Sequence, residues 1–191
     1  MKFFHLSDLH IGLKLMNRDL REEQMDILRQ VTDLAREEQP DAVVIAGDIY
    51  DKAVPAAEAV QVFDDFLTSL NEMGLIVFMI SGNHDSPERV SYGGRLMKKS
   101  GIYVATVYEG KTEKVEFTDE YGKVCIHLLP FIKPAVVRHA FEGGEFEKEA
   151  EAVCDYQSAV KMTVSHMAVD TDVRNVLIAH QFVTGASCCD S

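Results

Sequence analysis

Ala42-Val43-Val44-Ile45-Ala46-Gly47-Asp48-Ile49-Tyr50-Asp51 joins an unbroken apolar run to an abrupt polar exit. The run AVVIA lacks the alternation of a strand with one wet face, so it suits a strand covered on both faces. Gly47-Asp48 then leaves that strand where the backbone can turn sharply and come close to a ligand. The same device recurs along the chain. Lys2–Ser7 reads as a first strand and is followed by Asp8-Leu9-His10; Leu75–Ile80 (LIVFMI) is followed by Gly82-Asn83-His84-Asp85; Asn175–Ala179 is followed by His180.

Long amphipathic stretches separate these strands. Met25, Leu28, Val31, Leu34 and Ala35 recur at helical spacing within Arg21–Glu38, which Pro40 stops. Ala56–Glu72 is a second helix, ended by Gly74. A short helix is expected at Gly94–Lys99, then strands near Lys114–Phe117 and Lys123–Leu129, joined as a hairpin through the turn chemistry of Asp119–Gly122. Phe146–Val169 reads as one long amphipathic helix carrying Ala150, Val153, Val160, Val164 and Met167. The strand–helix rhythm predicts an α/β fold, a single compact domain of ordinary size for 191 residues with 47% hydrophobic content.

In an open α/β sheet the strand ends converge on one rim, where ligands bind. Each polar cluster alone is ordinary: Asp-x-His is common, Gly-Asp is a turn, and a strand-end histidine is often satisfied by backbone. Four of them, in this order and each after a buried strand, point to a shared site. Asp, His and Asn donors suit manganese, iron or zinc better than calcium or a thiolate-bound structural zinc. Asp48, between two groups of donors, is placed to bridge two metals ~4 Å apart, an arrangement that clamps the attacking and leaving oxygens of phosphoryl transfer.

The residues resemble the calcineurin-type metallophosphoesterase superfamily, with its pattern D-x-H, G-D-x-x-D, G-N-H-D/E, H and G-H-x-H. Here stand Asp8-Leu9-His10, Gly47-Asp48-Ile49-Tyr50-Asp51, Gly82-Asn83-His84-Asp85 and His180. More narrowly, Asp8–Gly12, Gly47–Asp51 and Leu129-Pro130-Phe131-Ile132-Lys133-Pro134 with Val137-Arg138 resemble the SbcD-type nuclease subunits. The resemblance implies a layered sandwich of mixed β-sheets flanked by helices and two divalent metal ions, manganese expected. Asp8 and His10 would hold one metal, Asn83 and His180 the other, with Asp48 between them. His84 would face the scissile phosphate, stabilising charge or protonating the leaving oxygen, and Asp85 would orient it. The implied substrate is DNA, cut as a double-strand exonuclease or a single-strand and hairpin endonuclease in repair and recombination. An SbcC-type ATPase is the implied partner, and the full-length nuclease subunit is expected as a homodimer.

The closing G-H-x-H is absent from residues 1–191, which end Cys188-Cys189-Asp190-Ser191. These residues are therefore expected to be the N-terminal part of the nuclease domain, lacking also a DNA-capping region and an ATPase-binding segment, with one histidine missing from each metal. The formal net charge of −12 argues against broad attraction to polyanions, so DNA binding needs local cations, bound metal or a partner. That balance also motivates the alternative of a nucleotide or phosphoprotein phosphoesterase, and a non-catalytic scaffold is the third alternative. Four cysteines without a CxxC spacing suit a reducing cytoplasm, and no apolar stretch is long enough for a signal peptide or a membrane span.

Overall fold

The computed structural model describes residues 1–182. The elements are β1 (Phe3–Leu6), β2 (Lys14–Leu15), β3 (Arg18–Asp19), α1 (Arg21–Glu38), β4 (Ala42–Ala46), α2 (Ala57–Glu72) and β5 (Ile76–Ile80). There follow α3 (Pro87–Val90), α4 (Gly94–Met97), β6 (Ile102–Ala105), β7 (Glu113–Asp119), β8 (Gly122–Leu129), α5 (Pro134–Ala140), α6 (Glu147–Glu151), α7 (Tyr156–Ser165) and β9 (Arg174–Ala179).

Of the three sheets among the described residues, β2 and β3 form a small antiparallel pair, and the two larger sheets stack on each other with helices outside them. The first, ordered β1-β4-β5-β6, is parallel throughout; the second, β7-β8-β9, is mixed, antiparallel between β7 and β8 and parallel between β8 and β9. The period of two explains why β4 and β5 are apolar throughout. Val43, Ile45, Val77 and Met79 pack toward Leu28, Phe63, Phe66 and Leu70 of α1 and α2. Their neighbours Ala42, Val44, Ala46, Phe78 and Ile80 pack toward Val124, Ile126, Leu128 and Ile178 of the second sheet. Each large apolar side chain among them contributes roughly 1.5–3 kcal/mol of burial, so the stacked sheets fix the strand register firmly. A third cluster, including Leu129, Ile132, Val137, Ala159 and Met162, holds α5–α7 beside the exit of β8.

The α/β sandwich and the hairpin across Asp119–Gly122 agree with expectation. The long helix expected over Phe146–Val169 does not form: it divides into α6 and α7. Asp155 is the cause. Its backbone is extended, and its side chain accepts from the Ser158 amide (2.8 Å), closing a capping box that starts a new helix. Val164, expected on the apolar face, is 45% exposed, because the second helix has its own rotation. Met25 and Leu34 of α1 are likewise half exposed. Cys125 is buried and Cys154 exposed, both unbridged, whereas Cys188 and Cys189 lie outside the described residues. Among the described residues no helix is long and apolar enough to cross a membrane.

Candidate metal centre

Because β1, β4 and β5 are parallel neighbours, Asp8, Asp48 and Asn83 leave the first sheet at the same rim. The exits of β1 and β4 are zipped together beyond the strands. The Asp8 amide donates to the Gly47 carbonyl (3.2 Å), His10 to Asp48 (3.0 Å) and Ile11 to Ile49 (2.9 Å). Asp8, His10 and Asp48 all adopt left-handed backbone, at φ 56°, 43° and 50°. Such conformations cost about 1–3 kcal/mol each and persist where surrounding structure enforces them, commonly at functional sites. The strain turns three donor side chains toward one another.

His180 arrives from the other sheet. Its Nδ1 donates to the Ala46 carbonyl (2.7 Å), which leaves Nε2 facing the Asp48 carboxylate at 3.5 Å. His10 Nε2 lies 3.6 Å from the same Asp48 oxygen and 3.8 Å from Asp8. Two triads result, His10–Asp48–His84 and Asp8–Asp48–His180, with Asp48 common to both. Asn83, Asp8, Ser7 and His180 line a single cavity of 310 Å³.

These donors fit divalent cations. An imidazole lone pair facing a carboxylate is repulsive unless a proton or a cation lies between them. Two donors on one cation at ~2.1 Å stand about 3.0–3.4 Å apart, close to the separations seen here and longer than good hydrogen bonds. His10 Nδ1 is buried with no hydrogen-bond partner among the described residues, so the protein alone leaves this ring unsatisfied. Burial is the largest influence on Asp48 and pushes its carboxyl up. His180, the His84 amide and the charge of both rings together outweigh it, holding the group below the ordinary carboxylate value and hence ionised. His180 is correspondingly raised, first by its contact with Asp48.

The Gly82–Asp85 loop is locked from inside. The carboxylate of Asp85, which is buried, accepts from the amides of Gly82 (2.9 Å), Tyr50 (3.0 Å) and Ile49 (3.2 Å). Asp85 therefore ties the β5 exit to the β4 exit. It does not hold the His84 ring, contrary to the role expected for it. The His84 amide instead donates to Asp48 Oδ1 (2.9 Å), and its ring Nδ1 to the carbonyl of Asp51 (3.1 Å). That second bond fixes the tautomer and leaves Nε2 open, with the ring edge-on to His10 at 4.8 Å between centroids. The resemblance implies that His84 touches no metal, yet its ring comes within ligand range of His10 and Asp48.

Other residues at the rim escape a reading of the sequence. Ser7 has the position of a strand-end hydrogen bonder, and its hydroxyl does bond the Ala46 carbonyl (3.2 Å) and the Asp8 side chain, but it also lines the cavity. Phe131, Gln181 and Phe182 line it too. The only signals for these are the LPFIKP segment and adjacency to His180.

The chain matches the family model described as calcineurin-like phosphoesterase over residues 1–151. It is 33% identical over 194 residues to a nuclease SbcCD subunit of Staphylococcus epidermidis, an alignment covering 100% of this chain and 49% of that protein. The chain thus spans about half the length of this curated relative. With two acid-and-imidazole triads sharing one buried carboxylate at the rim of a parallel sheet, and a family match over most of its length, the chain belongs to the calcineurin-like phosphoesterases.

Proposed function

We propose that this chain, a metal-dependent phosphoesterase by family, hydrolyses phosphodiester bonds of DNA as the nuclease subunit of an SbcCD-like complex. The observation that carries the chemistry is the position of Asp48 between two donor triads. Following the resemblance, Asp8 and His10, 3.8 Å apart, would hold one divalent cation and Asn83 and His180 the other, with Asp48 reaching both; the triads differ from that pairing in grouping Asp8 with His180 and His10 with His84. Bound there, such cations would neutralise the phosphate and supply a nucleophile from water near neutral pH. The protein's own contribution is positional. Asp51 and Asp48 fix the ring and the backbone of His84, whose open Nε2 can hold a proton at the leaving oxygen. Asp85 keeps that loop from moving.

DNA is favoured over a phosphoprotein by the relative. After Asp85, α3, α4 and the turn that follows them expose Arg89, Arg95 and Lys99, which enter no salt bridge among the described residues, while Lys98 is paired with Glu113 at 2.7 Å. Of these, Arg89 follows the Gly82–Asp85 loop closely and lines a pocket with Tyr50, where it can supply part of the local attraction that the net charge of −12 withholds; Lys99 precedes β6 and so lies at the opposite end of the sheet. An SbcC-type ATPase partner, a homodimer, manganese as the metal and a cytoplasmic location complete the proposal.

The test is hydrolysis of end-labelled duplex DNA by the full-length protein with manganese, with and without chelator, beside His84→Gln. Chelator should abolish cleavage. His84→Gln should lower kcat about 10²- to 10⁴-fold while the stabilisation of the fold by added manganese is kept. Unimpaired cleavage by the variant would remove His84 from the mechanism, and loss of the manganese-induced rise in Tm would make it a ligand instead. Turnover of a phosphopeptide far above that of DNA would favour the phosphoprotein alternative.

A further inference from the structure

One wall of the metal cavity is aromatic, and nothing in the phosphoryl-transfer chemistry requires it. Phe131 and Phe182 line the cavity, and Tyr156 packs against both from outside the lining; the three rings meet edge to face or tilted, with centroids 5.4–6.0 Å apart, and Phe131 stands 6.4 Å from the His180 ring. Each ring is held by a separate device. The Phe131 amide donates to the Ser81 carbonyl (2.9 Å), anchoring it beside the His84 loop. Tyr156 is the first residue of α7, placed by the Asp155–Ser158 capping box. Phe182 follows His180 by two residues, and Gln181 between them donates to the Pro130 carbonyl (2.9 Å).

Aromatic side chains clustered for stability bury their faces, yet Phe182 is 71% and Tyr156 41% exposed. An oriented aromatic wall, open to solvent and continuous with the donors that take a phosphate, matches a substrate carrying a flat ring one sugar away from that phosphate. We propose that Phe131 and Phe182, backed by Tyr156, form a stacking subsite for an unpaired nucleobase adjoining the scissile phosphodiester. This rests on the nuclease function proposed above and sharpens it. A base must leave its duplex partner to reach the wall, so frayed ends and single strands become the preferred substrates. Stacking tolerates every base, because each has a π-face.

The test uses the full-length protein with manganese and end-labelled oligonucleotides bearing either a base or an abasic residue at the terminal nucleotide. The wild type should prefer the base by about 5- to 100-fold in kcat/KM, Phe182→Leu should erase most of that preference, and Phe182→Tyr should retain it. Stopped-flow fluorescence of a terminal 2-aminopurine, read before cleavage, should show quenching by wild type and Phe182→Tyr but not by Phe182→Leu. Because Phe182 is exposed, all three should melt alike. Cleavage of both substrates at equal rates by the wild type would overturn the subsite while leaving the nuclease function standing. So would equal loss of preference in Phe182→Leu and Phe182→Tyr. Absence of cleavage on either DNA would overturn the nuclease function and the subsite with it. Faster hydrolysis of a phosphotyrosyl peptide than of DNA, with the same dependence on Phe182, would overturn the assignment of the ring as a nucleobase.

Discussion

Asp48→Asn is expected to lower phosphodiester turnover roughly thousandfold, because it removes the one anion common to both triads, and charge stabilisation of several kcal/mol depends on it. The substitution is nearly isosteric. Its side-chain oxygen can still accept from the His84 amide, which stands 2.9 Å from Oδ1, so the loop geometry should survive. What disappears is the charge that would draw divalent cations to the two triads and that faces His10 and His180. Manganese titration monitored by Tm should then show little stabilisation, whereas the wild type should be stabilised by an amount that grows with the logarithm of metal concentration. Wild-type turnover in the variant would separate Asp48 from the chemistry.

Gly82→Ala should do comparable damage through shape instead of charge. A Cβ at residue 82 would overlap both Asp48 Oδ1 and the Asp48 amide nitrogen. The carboxylate can swing aside, but the backbone of Asp48, whose carbonyl is zipped to the His10 amide, cannot. Overpacking of this kind costs about 1–3 kcal/mol, or a fall in Tm of roughly 2–12 °C for a chain of this size. Displacing the shared carboxylate by ~1 Å costs about a hundredfold or more in rate. Gly74→Ala is the control: no atom lies within 4 Å of its Cβ, and its positive φ of 73° confines the effect to local strain far from the rim. Equal activity of the two variants would show that close approach at Gly82 is not needed.

Much of the site is legible in the sequence because the features that betray it are local. A strand buried on both faces must be apolar at every position, so the polar residues after Ala46 and Ile80 mark strand exits without any three-dimensional knowledge. The expectation of a buried strand before each cluster fails for β1 and β9, which are only partly covered, with His5 exposed in the first and Arg174 and Asn175 exposed at the start of the second. Parallel order in the first sheet then brings Asp8, His10, Asp48, Asn83 and His84 to one rim, and the second sheet stacked on it delivers His180. What stays hidden depends on contacts between distant segments. That Asp85 binds three amides and Asp51 contributes its carbonyl, not its carboxylate, to His84 is set by how two exits pack. β6 escapes because Ile102–Ala105 is only four residues long and no polar motif follows it. The division between α6 and α7 is encoded by Asp155-x-x-Ser158, but the apolar spacing across it mimics one continuous helix.

Whether two divalent cations share Asp48 at this rim decides most of the chemistry proposed above. Anomalous diffraction from crystals of the full-length protein grown with manganese should show two peaks ~4 Å apart, both in coordination contact with the Asp48 carboxylate, one beside His10 and the other beside His180. A single peak, or manganese bound away from Asp48, would refute the shared-carboxylate centre.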